Sequence, residues 1–273
     1  MEYISVVARR TRLFCRGMVA PPLEKTPMKF IAPLFLLIFA MPLPAQEARE
    51  MLIVVSEPGN PTHELEFRRQ ATAWQALAAR AKMEVVTIGL EKEAAAGDGP
   101  RLIQALTALP KTGADLWLIW IGHGSFDGRT ANFNLRGKDI NSAELRDLLK
   151  PFNRRLIILN LFSASAPFLP VLAGENRVII SAGRSDGERN YSRFGEKFAD
   201  ALTTTDADLD LDGLLSLLEA TLYASSKTNA FYEDAQRVLQ EHAVIDDNGV
   251  FLEHSLGVFV KGVGLGRGVK GRL

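Results

Sequence analysis

The stretch DLWLIWIGHGSF, residues 115–126, is apolar from Leu116 to Ile121 and turns polar at Gly122-His123-Gly124. A short run rich in Ile, Leu and Trp reads as a strand covered on both faces. The two glycines let the chain turn tightly and leave room beside the imidazole. A histidine at such a strand end faces a cleft and can exchange a proton near neutral pH. Equally, it can cap the strand and bond a neighbouring loop.

The same pattern recurs outward from this stretch. RLIILNLFSASAPFL (155–169) is a second apolar run, ending in small hydroxyl and methyl side chains. MLIVVSEPG (51–59), MEVVTIGL (83–90) and RVIISAG (177–183) read as three more strands. Between them lie helical patterns at 63–83, 99–109 and 141–152, with two more at 192–202 and 215–239. The first places Leu65, Phe67, Ala71, Trp74, Leu77, Ala78 and Ala81 on one face. Residues 141–152 begin on an Asn/Ser cap and stop before Pro151. Asp127-Gly128 signals a turn, with NFNLRG (132–137) as a small hairpin arm. Strands alternating with helices predict a three-layer, doubly wound α/β fold around a mostly parallel sheet. Ligands of such sheets sit at the carboxyl ends of the strands. That rule selects GHGSFDG, SASAPF and GRSDGERN.

This order of elements resembles the caspase–legumain superfamily of cysteine peptidases. Its pattern is an apolar strand ending in His-Gly, then one ending in Asp-x-Cys-x-Ser-Gly, and later a helix of the form Gly-x-Phe-x-x-Ala-Leu. LIWIGHG matches the first element and RFGEKFADAL (193–202) the last; the likeness spans roughly residues 50–240. It implies a caspase-like fold and a catalytic pair at His123 and Ser163. Laid on LFSASA (161–166), the pattern puts Leu161 at the aspartate and Ser163 at the cysteine, so the thiol is gone. A cysteine beside an imidazolium holds much of its thiolate near neutrality. A serine stays protonated and needs a close, oriented base. Ser163 in the looser His–Cys frame would lose several orders of magnitude in rate. The expectation is an inactive or impaired peptidase fold that holds peptide or protein segments in the strand-end cleft. The alternatives are an active hydrolase using His123 and Ser163, or a turn in which Ser163 or Ser165 caps a helix at Pro167. The resemblance also places Arg184, Asp186 and Arg189 in a substrate pocket; as a bare sequence they read equally well as a solvated loop. PTHELEF is no zinc motif, because His63-Glu64 lacks a second histidine at the required spacing.

DLDLDGLLSLLE (208–219) fits the calcium loop of an EF-hand position by position. Asp208, Asp210 and Asp212 stand at positions one, three and five. Gly213 at six allows the turn. Leu214 offers a carbonyl at seven, Ser216 a ligand at nine and Glu219 the bidentate carboxylate at twelve. The competing reading is an acidic helix start. The second acidic turn (246–253) does not fit the pattern. One bound Ca2+ with a bracing role is expected, in a C-terminal EF-hand-like helical segment.

The chain of 273 residues carries 32 basic and 32 acidic side chains, so no excess of positive charge points to nucleic acid. MKFIAPLFLLIFAMPLPAQ (28–46) has the layout of a signal peptide cut after Ala45, with translation starting at Met28. Export to the periplasm or the exterior is therefore expected, with membrane contact only through an uncleaved signal segment. Cys15 lies upstream of that cut, which leaves the mature chain without a thiol. The expected organisation is a leader at 1–45, a caspase-like domain at 46–205, the calcium loop and its helices at 206–245, and a loose glycine-rich tail at 246–273.

Overall fold

A computed structural model describes residues 49–91 and 97–247. The expected leader, Cys15 and the tail beyond residue 247 lie outside the described residues. Among the described residues no helix is long and apolar enough to cross a membrane.

Strands β1 (Glu50–Val55), β2 (Glu84–Ile88), β3 (Leu116–Gly122), β7 (Leu156–Phe162), β8 (Arg177–Ser181) and β9 (Val244–Asp246) form one six-stranded sheet in the order β2-β1-β3-β7-β8-β9. The first five are parallel; β9 closes the edge antiparallel to β8. Within each central strand, alternate side chains feed opposite helix layers. Ile53, Ile119 and Leu159 pack with Trp74, Phe198 and Ala224 on one face, whereas Leu52, Leu118 and Ile158 pack with Leu102, Leu145 and Leu172 on the other. The first layer is α1 (Pro61–Arg80), α5 (Phe194–Ala201) and α6 (Leu217–Asp234). The second is α2 (Asp98–Ala108), α3 (Ser142–Leu149) and α4 (Leu169–Leu172). This is the mixed α/β, mostly parallel architecture that the alternation predicts.

Local chemistry sets the boundaries. Asn60 caps α1 by accepting the His63 N–H, with Pro61 at the first helical position. Asn141 caps α3 in a reciprocal box with Glu144. Ser216 delays α6 to Leu217 by the same device with Glu219, and the helix stops at Asp234, short of the expected 239. Leu65 departs from the expected α1 face: it is 73% exposed, and Gln70 takes a buried place there. The turn at Asp127-Gly128 joins β4 (Gly124–Phe126) to β5 (Ala131–Phe133), and β6 (Ile140–Asn141) completes a small antiparallel sheet. Asp127 Oδ1 accepts the Arg129 and Thr130 N–H groups, and Gly128 takes φ +97°. The three-residue β9 has no sequence signature of its own; it is too short for a visible alternation.

Candidate active site

Strand order reverses between β1 and β3, because β2 pairs on one side of β1 and the later strands extend on the other. The crevice therefore opens where β1 and β3 end. The sequence pointed to the segments after the third, fourth and fifth strands. The switch point adds the segment after β1, which supplies Ser56 and His63.

Ser56 bridges the two strand ends. Its N–H donates to the Ile121 carbonyl at 2.9 Å, and its Oγ accepts the His123 N–H at 2.7 Å. Gly122 makes this approach feasible. It takes φ +128°, and a Cβ there would stand 2.0 Å from Ser56 Oγ. Gly124 is as confined: a Cβ would stand 2.6 Å from the Ser163 carbonyl oxygen and 2.9 Å from that of Asn132. Both glycines of Gly-His-Gly are thus required by close approach, of the Ser56 side chain to Gly122 and of neighbouring carbonyls to Gly124.

The His123 ring turns toward α1. Its Nε2 lies 3.0 Å from His63 Nδ1, and the rings meet at 65°. His63 stacks on Tyr191 at 4.6 Å with 6° between planes, and Phe67 packs edge-on to His123. Burial holds the His123 imidazole below its ordinary pKa; His63 adds to this, and the Pro58 carbonyl opposes it. Burial, then the bond to Glu196, pushes the Tyr191 phenol up. Its hydroxyl donates to Glu196 Oε1 at 2.6 Å.

Ser163 follows β7 beside His123, since Gly122 and Phe162 are register partners. The structure brings the two residues to adjacent strand ends but gives them separate networks. Ser163 Oγ accepts the Gly124 N–H at 3.2 Å and lies 3.4 Å from the Gly124 carbonyl. Only 5% of Ser163 is exposed. Among the described hydrogen bonds none joins its hydroxyl to the His123 ring. Ala164 then takes φ +57°, which turns the chain sharply into a 3-10 turn at Ala166–Phe168. Neither serine caps it with its side chain, in contrast to the capping alternative. Ser165 Oγ instead accepts from Gly183 N at 3.2 Å and lies 2.9 Å from Ser181 Oγ.

The third strand-end segment is tied by Glu188, which lies within the selected GRSDGERN run. Glu188 accepts from Arg184 N and from His242 N, and its Oε1 lies 2.9 Å from His242 Nδ1. Glu241 accepts from Ser192 Oγ, Arg193 N, Phe194 N and Tyr232 Oη. Two inward carboxylates thus strap residues 183–194 to the segment before β9. Arg184, Asp186 and Arg189 are all exposed. Arg189 Nε donates to the Asp186 carbonyl at 2.6 Å, and its guanidinium lies 5.2 Å over the Phe126 ring at the cleft edge.

The acidic loop folds on itself after α5. Asp208, Asp210 and Asp212 each present a carboxylate oxygen within 4.8 Å of the others. Gly213 N donates to Asp208 Oδ2, Asp212 N to Asp210 Oδ1 and Leu214 N to Asp212 Oδ1. Asp208 Oδ1 is enclosed without a hydrogen-bond partner, which suits a cation-facing oxygen. Glu219 accepts from Leu209 N, Asp210 N and Ser216 N. Burial raises its pKa, but these bonds and the one from Ser216 together hold it below the usual carboxylate range. Ser216 Oγ accepts the Glu219 N–H at 3.2 Å. The three aspartates are therefore gathered, while Ser216 and Glu219 are engaged in the helix cap.

No protein-family model matches the chain, and no curated protein matches it. A solved structure does: that of the Drosophila initiator caspase Dronc, with a TM-score of 0.51 and 11% identity over 75% of this chain and 82% of that one. The fold is caspase-like. In that caspase-like frame, the switch-point crevice and the paired ends of β3 and β7 form the candidate site.

Proposed function

We propose that this chain is an exported caspase-like protein that binds peptide segments at the strand ends without cleaving them, with one Ca2+ bracing residues 208–219. The observation that carries this reading is Ser163. The sequence resemblance sets it at the thiol's position; it is nearly buried, and its hydroxyl is bonded to the Gly124 backbone. Activation of a serine requires a base within hydrogen-bond reach of its oxygen. Here the imidazole is engaged with His63. A hydrolytic reading requires Ser163 to leave Gly124 and His123 to leave His63. The adjacency of the two strand ends is the observation that favours it.

The exposed Arg184 and Arg189, the latter over the Phe126 ring, suit acidic or aromatic peptide side chains. The calcium part rests on the gathered aspartates and the unpartnered Asp208 Oδ1. Asp208, Asp210 and Asp212 would hold the ion through hard oxygens, and it would neutralise three clustered carboxylates. A fluorophosphonate probe followed by intact mass measurement tests inactivity. No adduct is expected on the wild-type chain. An adduct that disappears in Ser163→Ala would establish the hydrolase instead.

A further inference from the structure

Hydrogen-bond arithmetic fails at His63. A ring nitrogen offers one lone pair or one hydrogen, never both. Three polar atoms crowd His63 Nδ1: Asn60 Nδ2 at 2.9 Å, His123 Nε2 at 3.0 Å and the Pro58 carbonyl at 3.3 Å. The Asn60 amide cannot simply be reversed, because its Oδ1 accepts the His63 N–H at 2.9 Å. With a lone pair on Nδ1, two donors compete for it and the carbonyl is opposed. With a hydrogen on Nδ1, the Asn60 amide hydrogen is opposed. Either tautomer leaves at least one contact unmet.

A cation resolves most of this conflict. His63 Nδ1, His123 Nε2 and Pro58 O can all offer lone pairs, and the last two lie 3.0 and 3.3 Å from the first. Two nitrogens on one tetrahedral zinc with bonds of about 2.0–2.1 Å stand roughly 3.3 Å apart; these stand 3.0 Å apart. The carriers are firm: a β3 strand end, the first turn of α1, and rings held by Tyr191 and Phe67. Imidazole nitrogens select first-row transition dications over calcium. The site is thus chemically distinct from the oxygen-lined loop at 208–219.

We propose that His63, His123 and the Pro58 carbonyl form a binding site for a zinc-class dication at the crevice between β1 and β3, with a fourth position open to water or ligand. No third histidine or carboxylate joins them among the described residues, so the affinity is micromolar. Asn60 Nδ2 is the one unfavourable neighbour, and moving it away from His63 Nδ1 disturbs the Oδ1 cap on the His63 N–H. That gives the site a diagnostic variant. Asn60→Asp keeps an oxygen to cap the His63 N–H and replaces the opposing donor with a ligand.

The test titrates the purified chain with Zn2+ by calorimetry and with Co2+ by visible absorbance, in about 1 mM calcium to fill the acidic loop. One equivalent is expected. His63→Ala and His123→Ala should each weaken binding by at least about tenfold, and Asn60→Asp should tighten it by about as much. The last variant reads as a gain, so it is immune to loss of folding. Undetectable zinc binding at about 100 μM, where complexes of mere millimolar strength are filtered out, overturns the proposal. So does binding that neither histidine variant changes.

Discussion

Gly122→Ala is the sharpest structural perturbation of the candidate site. The new methyl must adopt φ +128°, and its carbon would lie 2.0 Å from Ser56 Oγ, 2.8 Å from Ser56 Cβ and 3.1 Å from Phe67 Cε2. Backbone strain of this kind costs about 1–2 kcal/mol. Overpacking adds about 1–3 kcal/mol. Displacing Ser56 also breaks its bond to the His123 N–H, worth about 1 kcal/mol. The expected loss is about 3–6 kcal/mol. Gly128→Ala is the control, since Gly128 has φ +97° but nothing within 4 Å of the added carbon. It should lose only the strain, about 1–2 kcal/mol. The assay is urea unfolding followed by tryptophan fluorescence, with ΔG from the midpoint at constant slope. Ser56→Gly should restore much of the Gly122→Ala loss, because it removes the two nearest colliding atoms. Equal losses at Gly122 and Gly128, or no rescue by Ser56→Gly, would refute the packing of these strand ends.

Three further outcomes are expected. Arg154 is buried and bonded to Glu50 Oε2 at 2.5 Å, so Glu50→Gln strands a buried cation and should cost about 3–5 kcal/mol in the same assay. Glu91 is held at a pKa of about 2, first by its bond to Arg101. Its stabilising share is full above the ordinary 4.5 and is lost as pH falls toward 2; Arg101→Gln should return the Glu91 titration in carboxyl NMR toward 4.5. Calcium at about 100 times its dissociation constant should stabilise the chain by about 2.7 kcal/mol. In thermal melts with and without chelator that difference should vanish in Asp210→Ala.

The layered α/β fold was legible because every central strand is apolar on both faces, and only a sheet covered twice buries such strands. His123 and Ser163 were legible as strand-end residues for the same reason. His63 was not. No second histidine stands at helical spacing from it, and its actual partner comes from a strand sixty residues on. Sheet order creates that encounter, and one sequence does not encode sheet order locally. The cap at Asn60-Pro61 was the available signal that residue 63 sits at a helix start facing the crevice. Glu188 stood in the selected GRSDGERN run without a role and Glu241 was hidden in a polar loop, for a similar reason: their partners, backbone amides together with the His242, Ser192 and Tyr232 side chains, come from segments that only the fold brings near. Leu65 was misplaced because it is apolar, yet two residues before the buried Phe67 it stands on the opposite, solvent-facing side of α1.

The most direct measurement of whether a peptidase framework here has lost its chemistry is digestion of an unbiased peptide library, read by mass spectrometry. The expected result is no cleavage above the buffer control, with or without calcium and zinc. Sequence-specific cleavage by the wild-type chain that is abolished in both His123→Ala and Ser163→Ala would contradict it.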